Sequence, residues 1–165
     1  MPLMADLKLA IIGCGNPNRS DDGVGATVIN VLRQTDLPDY VTLYDAGTDG
    51  MGVMYAAKGS THLIVIDARA PEGKPGAIYE VPGEVLAAPK EQSMNLHDFR
   101  WDHALYAGQK IYRDEFPKFV KVFLIEAQTL ELNIGLTEKV AHAATEVIQQ
   151  VHSLACSANL DWSSE

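Results

Sequence analysis

Short apolar runs alternate along this chain with segments whose apolar residues recur at helical spacing. Apolar runs bounded by turn-forming residues predict buried strands, and they lie at residues 7–13, 40–45, 62–67 and 119–125. A shorter run at 77–81 follows a loop rich in Pro and Gly, so it predicts an edge strand.

Helical periodicity predicts the elements between these strands. The predicted helices cover residues 23–33, 51–57 and 102–112, and one helical turn is expected at 85–88. The last helix is predicted to begin after Gly135, with Thr137 as its N-cap, and to end near Leu154. Such alternation is typical of right-handed βαβ units. We therefore expect an α/β fold, a three-layer sandwich with a twisted, mostly parallel sheet of about five strands and helices on both faces.

The length of 165 residues suits one domain with a substantial core. Since no internal repeat or low-complexity segment divides the chain, residues 1–156 are expected to form a single domain. Residues 157–165 lie beyond the last predicted helix and are expected to form a flexible tail.

Composition narrows the classes of partner. The formal net charge is −9, whereas a phosphate-binding surface needs clustered Lys and Arg, so nucleic acid is not expected as a partner. No apolar run approaches the roughly 18 residues of a membrane span, so no membrane association is expected either. The two cysteines, Cys14 and Cys156, are far apart and form no CxxC pair. This pattern suits a reducing compartment, and we expect a cytoplasmic protein.

Residues 13–25 form a glycine-rich loop that joins the first strand to the first helix. The spacing differs from the dinucleotide fingerprint because position 18 is Asn, and no P-loop lysine follows. A phosphate would also meet Asp21 and Asp22 at the helix start, where two carboxylates would repel it. The aspartates could instead serve as cap and charge for the helix. Because a cap needs one carboxylate, the doublet favours a cation at this loop.

Carboxylates also follow other strands of the predicted sheet. In parallel α/β sheets, sites form outside the carboxyl ends of the strands, and Asp45, Asp67 and Glu126 occupy such ends. Asp67 ends the most apolar strand, where an unpaired charge is costly to bury. Pairing with Arg69 or capping of a turn is the alternative explanation for Asp67.

Histidine supplies the third candidate ligand. His97 lies between an irregular stretch and the predicted helix at 102–112, and His103 with Asp102 competes with it. One imidazole with two carboxylates is a ligand set able to hold Ni²⁺, Zn²⁺ or Cd²⁺. The sequence contains neither a Gly-x-Ser-x-Gly nor a His-Glu-x-x-His motif as a competing catalytic signature.

Several of these motifs occur together in one known family. They are Gly13-x-Gly15-Asn16 followed by Asp21-Asp22-Gly23-x-Gly25, Asp45-Ala46-Gly47-Thr48, His62–Asp67, Met94-Asn95-Leu96-His97 and Ile134-Gly135-Leu136-Thr137. With them the chain resembles, from about residue 7 to 154, the nickel–iron (NiFe) hydrogenase maturation endopeptidases, which trim the C-terminus of the hydrogenase large subunit.

The resemblance implies a specific chemistry. The family's metal-contacting and catalytic positions fall on Asp22, Asp67 and His97, where relatives often have Glu in place of Asp22. Such an endopeptidase reads nickel that is already installed in the large-subunit precursor, while Cd or Zn occupies the site adventitiously. Hydrolysis then uses a metal-polarised carbonyl, a metal-bound water or Asp22 as general base, and the sequence leaves these routes open. The chain departs from the family pattern in two places, which affect the expected substrate contacts. It has Ile125-Glu126-Ala127-Gln128 where relatives often have I-E-P-E, and residues 98–103 are more charged and aromatic than expected.

The resemblance also implies the partner, a NiFe-hydrogenase large-subunit precursor, and a monomeric enzyme. Two alternatives belong to other classes. A non-catalytic metal-sensing chaperone would dock on the precursor without cleaving it, and a nucleotide-binding domain would hold an anion at residues 16–23. For the endopeptidase, Asp22, Asp67 and His97 must converge at one edge of the sheet.

Overall fold

The computed structural model describes residues 6–82, 101–157, 160 and 162. Within these residues, five strands form one sheet in the order β2-β1-β3-β5-β4. The strands are β1 Leu9–Cys14, β2 Val41–Gly47, β3 His62–Arg69, β4 Ile78–Pro82 and β5 Phe119–Glu126. Strands β2, β1, β3 and β5 are parallel to one another, and β4 is an antiparallel edge strand beside β5. The predicted mostly parallel sheet and its edge strand are confirmed.

Four α-helices of the described chain cover the two faces of this sheet. They are α1 Val24–Leu32, α2 Gly50–Ala57, α3 Trp101–Tyr112 and α4 Glu138–Cys156. Helices α1 and α4 pack together on one face, and α2 and α3 pack together on the other. The predicted three-layer sandwich is therefore confirmed, while the helical turn expected at 85–88 lies outside the described residues. In the part of the chain that the structure describes, no helix combines the length and apolarity needed to cross a bilayer.

Alternating residues of the central strands feed two separate cores. In β1, Leu9 and Ile11 pack on the side of α1 and α4, whereas Ala10 and Ile12 pack on the side of α2 and α3. Because both faces are covered, the central strands are continuous apolar runs without a polar face. The carboxylates that interrupt this pattern lie where the strands end, and these positions define the candidate site.

The start of α4 differs in one respect from its prediction. Thr137 is the N-cap residue, as expected, but its side chain makes no capping hydrogen bond to the helix. Its hydroxyl donates instead to the carboxylate of Asp21, at 3.0 and 2.9 Å from the two oxygens. A partner far away in sequence thus takes the place of the local cap.

Two residues of the expected flexible tail are buried. Leu160 and Trp162 belong to the core cluster that lies against α1 and α4. The Leu160 carbonyl accepts a hydrogen bond from Nε2 of His62 at 3.0 Å, and the Trp162 ring packs edge-on against the His62 ring with 4.8 Å between centroids. At these two positions the expectation of a loose tail is corrected, because His62 and the core offer them both polar and apolar partners.

Candidate active site

Asp22 and Asp67 lie on neighbouring elements at the carboxyl edge of the sheet. Asp67 follows Ile66, which is paired with Gly13 at the end of β1. Asp22 belongs to a 3₁₀ turn, Ser20–Gly23, that packs against β3. Both side chains are almost fully enclosed, at 4% exposure for Asp22 and 3% for Asp67. Strand order and connection thus place two of the three predicted site residues on neighbouring elements at one edge of the sheet.

The glycine-rich loop holds Asp22 in place by close backbone contact. Gly15 has φ +118°, and a side chain there would overlap the carbonyl oxygen of Asp22. The backbone N–H of Asn16 donates to Oδ2 of Asp22 at 2.8 Å. A glycine is needed at position 15 both for the positive φ and for this approach. The loop therefore orients a carboxylate, in the place where a nucleotide fingerprint would present N–H groups to a phosphate.

Gly25 holds the start of α1 against the two central strands. A Cβ atom at this position would lie 2.7 Å from the backbone nitrogen of Cys14 and 2.7 Å from the carbonyl oxygen of Ile66. The helix can approach β1 and β3 this closely because residue 25 has no side chain. This approach brings the turn with Asp22 beside Ile66 of β3, the residue that precedes Asp67.

Asp67 is oriented by its own strand. Its Oδ1 accepts a hydrogen bond from the backbone N–H of Ala68 at 2.8 Å. The guanidinium of Arg69, considered above as a partner for Asp67, forms an ion pair with Glu72 at 2.9 Å and stacks over the Tyr79 ring at 4.5 Å from its centroid. Arg69 is the last residue of β3, and its guanidinium is directed to Glu72 in the following loop and to Tyr79 on β4.

The neighbouring Asp21 has a structural role that the sequence analysis missed. Its fully buried carboxylate accepts hydrogen bonds from the backbone N–H groups of Gln128, Thr129 and Thr137 and from the Thr137 hydroxyl. The N-cap of α1 is Gly23, so the interpretation that one aspartate caps this helix is wrong. The loop that Asp21 holds lies more than 100 residues away in sequence. Of the two adjacent aspartates, Asp22 therefore remains the candidate metal ligand.

Glu126 at the end of β5 is likewise committed to a loop. Its buried carboxylate accepts hydrogen bonds from the backbone N–H groups of Glu72 and Lys74 and from the Tyr79 hydroxyl. Burial alone would raise the pKa of this carboxyl, but the hydrogen bonds and the nearby Arg69 charge outweigh burial and lower the pKa below its usual value. Glu126 is therefore an anion that ties the loop between β3 and β4 to the sheet.

Asp45 at the end of β2 closes a turn. Its Oδ1 accepts the backbone N–H of Gly47 at 3.1 Å, and the side chain is exposed. The Gly47 carbonyl in turn accepts the N–H of Gly15 at 2.7 Å, which joins the end of β2 to the glycine-rich loop. Asp45 therefore shapes the rim of the edge that carries Asp22 and Asp67.

The third predicted residue, His97, lies outside the described residues, as does Asp98. The competing His103 is at the start of α3, where its Nδ1 lies 3.2 Å from Oδ1 of Asp102. Among residues 6–82 and 101–157, no three His, Cys, Asp or Glu side chains come together as metal ligands. Two enclosed carboxylates are, however, the kind of hard donors that a divalent cation binds, and one imidazole would complete the predicted set.

In open α/β sheets, ligands bind at the carboxyl ends of the strands, and the enclosed carboxylates of Asp22 and Asp67 lie at that edge. Residues 26–154 match the family model HycI, described as hydrogenase maturation protease. The chain is 29% identical over 147 residues to the hydrogenase 2 maturation protease of Escherichia coli, with 88% of each protein covered. It is 30% identical over 153 residues to a putative hydrogenase maturation protease of Methanocaldococcus jannaschii, covering 88% of this chain and 95% of that protein.

A solved structure agrees with these relatives. The hydrogenase maturating endopeptidase HybD from Escherichia coli superimposes with a TM-score of 0.75 at 28% identity, covering 88% of this chain and 90% of that one. The chain belongs to the hydrogenase maturation proteases, so the family resemblance noted from the motifs is confirmed. The matched range includes Asp67 and position 97 and begins just after the turn that carries Asp22.

Proposed function

We propose that this protein is an endopeptidase that removes the C-terminal extension of a nickel-loaded NiFe-hydrogenase large-subunit precursor. The observation that carries the proposal is the placement of Asp22 and Asp67, enclosed on adjacent elements at one edge of the sheet. The nearby carboxylates of Asp21 and Glu126 instead accept hydrogen bonds from backbone N–H groups of two loops. The family to which the chain belongs supplies the reaction class.

In this proposal Asp22, Asp67 and His97 bind nickel that is anchored in the substrate. A carboxylate has about four acceptor positions, so a hydrogen bond from Asn16 or Ala68 orients it and is compatible with metal binding through other lone pairs. A cation brought by the substrate would be attracted by the negative charge of these two enclosed carboxylates. A set of three ligands leaves coordination positions to the precursor, which suits reading a metal better than storing it.

The proposed hydrolysis divides its tasks between substrate and enzyme. The substrate's nickel withdraws electrons from the scissile carbonyl, and Asp22 accepts the proton of the attacking water. The proton then passes to the leaving amine, which departs with the C-terminal extension. Cd²⁺ or Zn²⁺ would occupy the same ligands adventitiously, since both accept carboxylate and imidazole donors.

We further propose a cytoplasmic, monomeric enzyme. Cys14 is buried and Cys156 is exposed, and no disulfide joins them. Cysteines without disulfides are the rule in reducing compartments, and this supports the cytoplasmic assignment. Sedimentation of the purified protein at micromolar concentration tests the proposed monomer. The measured mass should equal that of one chain.

The decisive experiment is incubation with precursor large subunit, with and without nickel, and measurement of the C-terminal mass. Cleavage is expected with nickel only. Asp22→Asn and Asp67→Asn should each reduce the rate at least about 100-fold, the usual contribution of a general base or metal contact. Asp114→Asn is the matched control, because this exposed carboxylate lies before β5 at the opposite edge of the sheet.

Two results would overturn the proposal. Cleavage that proceeds equally well without nickel would remove the metal-reading step. Tight binding of the nickel-loaded precursor without any cleavage would support the non-catalytic chaperone instead.

A further inference from the structure

The loop that joins β5 to α4 is fastened at both ends to the segment carrying Asp22. At its start, the N–H groups of Gln128 and Thr129 donate to Oδ2 of Asp21 at 2.8 and 3.2 Å. At its end, the N–H of Thr137 donates to Oδ1 of Asp21 at 2.7 Å. One buried carboxylate therefore closes the loop, and it lies next to Asp22 in the chain.

The middle of this loop is fastened to the same segment. The carbonyl of Glu131 accepts the Ser20 hydroxyl at 2.8 Å, and the carbonyl of Asn133 accepts the Ser20 N–H at 2.8 Å. The N–H of Asn133 donates to the Asn18 carbonyl at 3.0 Å, which completes a short parallel bridge between Arg19 and Asn133. Residues 128–137 thus have a fixed course beside the candidate active site.

Two large apolar side chains project from this fastened loop. Leu132 is 79% exposed and Ile134 is 82% exposed, more than any other large apolar residue that the structure describes. They flank Asn133 at alternate positions, and the bridge through Asn133 holds them a few residues from Asp22 along the bonded segment. Exposed apolar area of this kind gains free energy when a partner covers it, at about 25 cal/mol per Å².

We propose that Leu132 and Ile134 form the docking surface for an apolar segment of the hydrogenase precursor beside its cleavage site. The inference rests on the proposed function, since it names the partner of the same site. The loop that carries both side chains is hydrogen-bonded to residues 18–21, directly before Asp22, so a polypeptide that delivers its metal to Asp22 comes near this loop. The fastened backbone means that little ordering entropy is lost when the segment binds. An apolar contact also suits a chain of net charge −9, whose surface offers few cations to attract a partner.

The test measures binding and cleavage with the same precursor. In the inactive Asp67→Asn background, Leu132→Ser/Ile134→Ser should weaken binding of the nickel-loaded precursor roughly 10-fold to 100-fold, the loss expected for two side chains covered at an interface. In the active protein the same pair should raise KM by a similar factor with kcat little changed, since the contact acts equally on ground and transition states. Leu132→Val/Ile134→Val should restore most of the affinity.

Ile111→Ser is the matched control. Ile111 is 61% exposed on α3, whose end leads to the opposite edge of the sheet, so binding and KM should be unchanged. Affinity of the Leu132→Ser/Ile134→Ser protein equal to that of Ile111→Ser would overturn the inference, whether or not the wild type cleaves. Sedimentation showing a wild-type dimer that this pair of substitutions splits would also overturn it, because the surface would then serve a second copy. Loss of cleavage in the wild type alone, with the binding difference intact, would overturn only the proposed function.

Discussion

The carboxylate of Asp21 and the N-cap residue Thr137 are joined by hydrogen bonds across a separation of 116 residues. The N–H of Thr137 donates to Oδ1 at 2.7 Å, and its hydroxyl lies 3.0 and 2.9 Å from the two carboxylate oxygens. These bonds connect the start of α4 to the glycine-rich loop. The next residue, Asp22, accepts a hydrogen bond from Asn16 instead. Two adjacent aspartates thus divide structure and candidate chemistry between them.

Asp21→Asn should destabilise the protein, whereas Asp22→Asn should mainly remove activity. An amide at position 21 can accept through one atom only, so it would turn an N–H group toward buried donors. Hydrogen bonds to a charged group contribute about 1.5–3 kcal/mol each, and we expect the free energy of unfolding to fall by about 2–4 kcal/mol. Urea denaturation followed by circular dichroism measures this. Equal unfolding free energies for Asp21→Asn and wild type would contradict the structural role.

Gly25→Ala and Gly52→Ala should change stability in opposite directions, although both replace a helical glycine. At position 25 the new methyl group would lie 2.7 Å from backbone atoms of Cys14 and Ile66, which cannot move aside. At position 52 it would meet the Asp49 carboxylate at 3.1 Å, and this side chain is able to rotate. Alanine should therefore stabilise α2 by about 0.5–1 kcal/mol and destabilise α1 by several times that amount, about 2–4 kcal/mol. Thermal melts of the two variants compare them, and a higher Tm for Gly25→Ala would refute the close approach.

Stability should decrease as the pH falls below 6.5 because of His62. Burial lowers the pKa of its imidazole from the ordinary 6.5, and this effect outweighs the opposing hydrogen bond to the Leu160 carbonyl. The folded state therefore binds this proton less readily than the unfolded state. The stabilising contribution is complete above 6.5 and is lost as the pH falls from there through the folded pKa, by at most about 1.4 kcal/mol per pH unit.

His62→Gln isolates this effect. The variant lacks the titrating group, so its free energy of unfolding should depend less on pH between 6.5 and 5 than that of the wild type. The lowered pKa of Glu126 acts in the same direction, but its contribution is lost only below about its ordinary value of 4.5. Urea titrations at half-unit pH intervals give both curves. Parallel curves for variant and wild type across this window would exclude His62 as the cause.

The metal content of the purified protein should show whether it senses nickel carried by the precursor or binds a metal ion tightly on its own. We expect little stoichiometric metal after purification, and uptake of Cd²⁺ or Ni²⁺ at millimolar supply, because ligands from separate loops form an incomplete set. Since an imidazole must be neutral to bind, occupancy should weaken as the pH falls through about 6. Elemental analysis before and after dialysis measures both, and a tightly held zinc in the resting protein would contradict the prediction.

His97 and His103 should differ sharply on substitution. His97→Ala should abolish cleavage and leave the fold intact, because the sequence predicts an irregular stretch around residue 97, where a side chain contributes little packing energy. His103→Ala should have a much smaller effect, since the imidazole at the start of α3 lies beside Asp102 at 3.2 Å. A mass-spectrometric cleavage assay with circular dichroism compares the two proteins. Full activity in His97→Ala would mean that the third ligand has been misassigned.

The arrangement of the sheet could be read from local patterns. Each predicted strand formed, with ends within a few residues. For the central strands β1 and β3 the reason is that a strand covered on both faces is a continuous apolar run. Because β1 and β3 are parallel neighbours, their carboxyl ends lie side by side. For this reason the sequence alone could predict that Asp22 and Asp67 lie at the same edge of the sheet. The motifs quoted in the sequence analysis also predicted the family whose model residues 26–154 match.

Only the tertiary structure showed which carboxylates hold loops. Asp21 and Asp22 are chemically identical neighbours, and no local signal distinguishes the one that closes the loop at Thr137. The position of Glu126 at a strand end predicted a site residue, but in the structure its carboxylate accepts hydrogen bonds from the N–H groups of Glu72 and Lys74. The physical reason is common to both. The periodicity of apolar residues indicates which faces of an element are buried. A hydrogen bond between distant segments depends instead on how the backbone brings those segments together, and the local spacing of residues does not encode this.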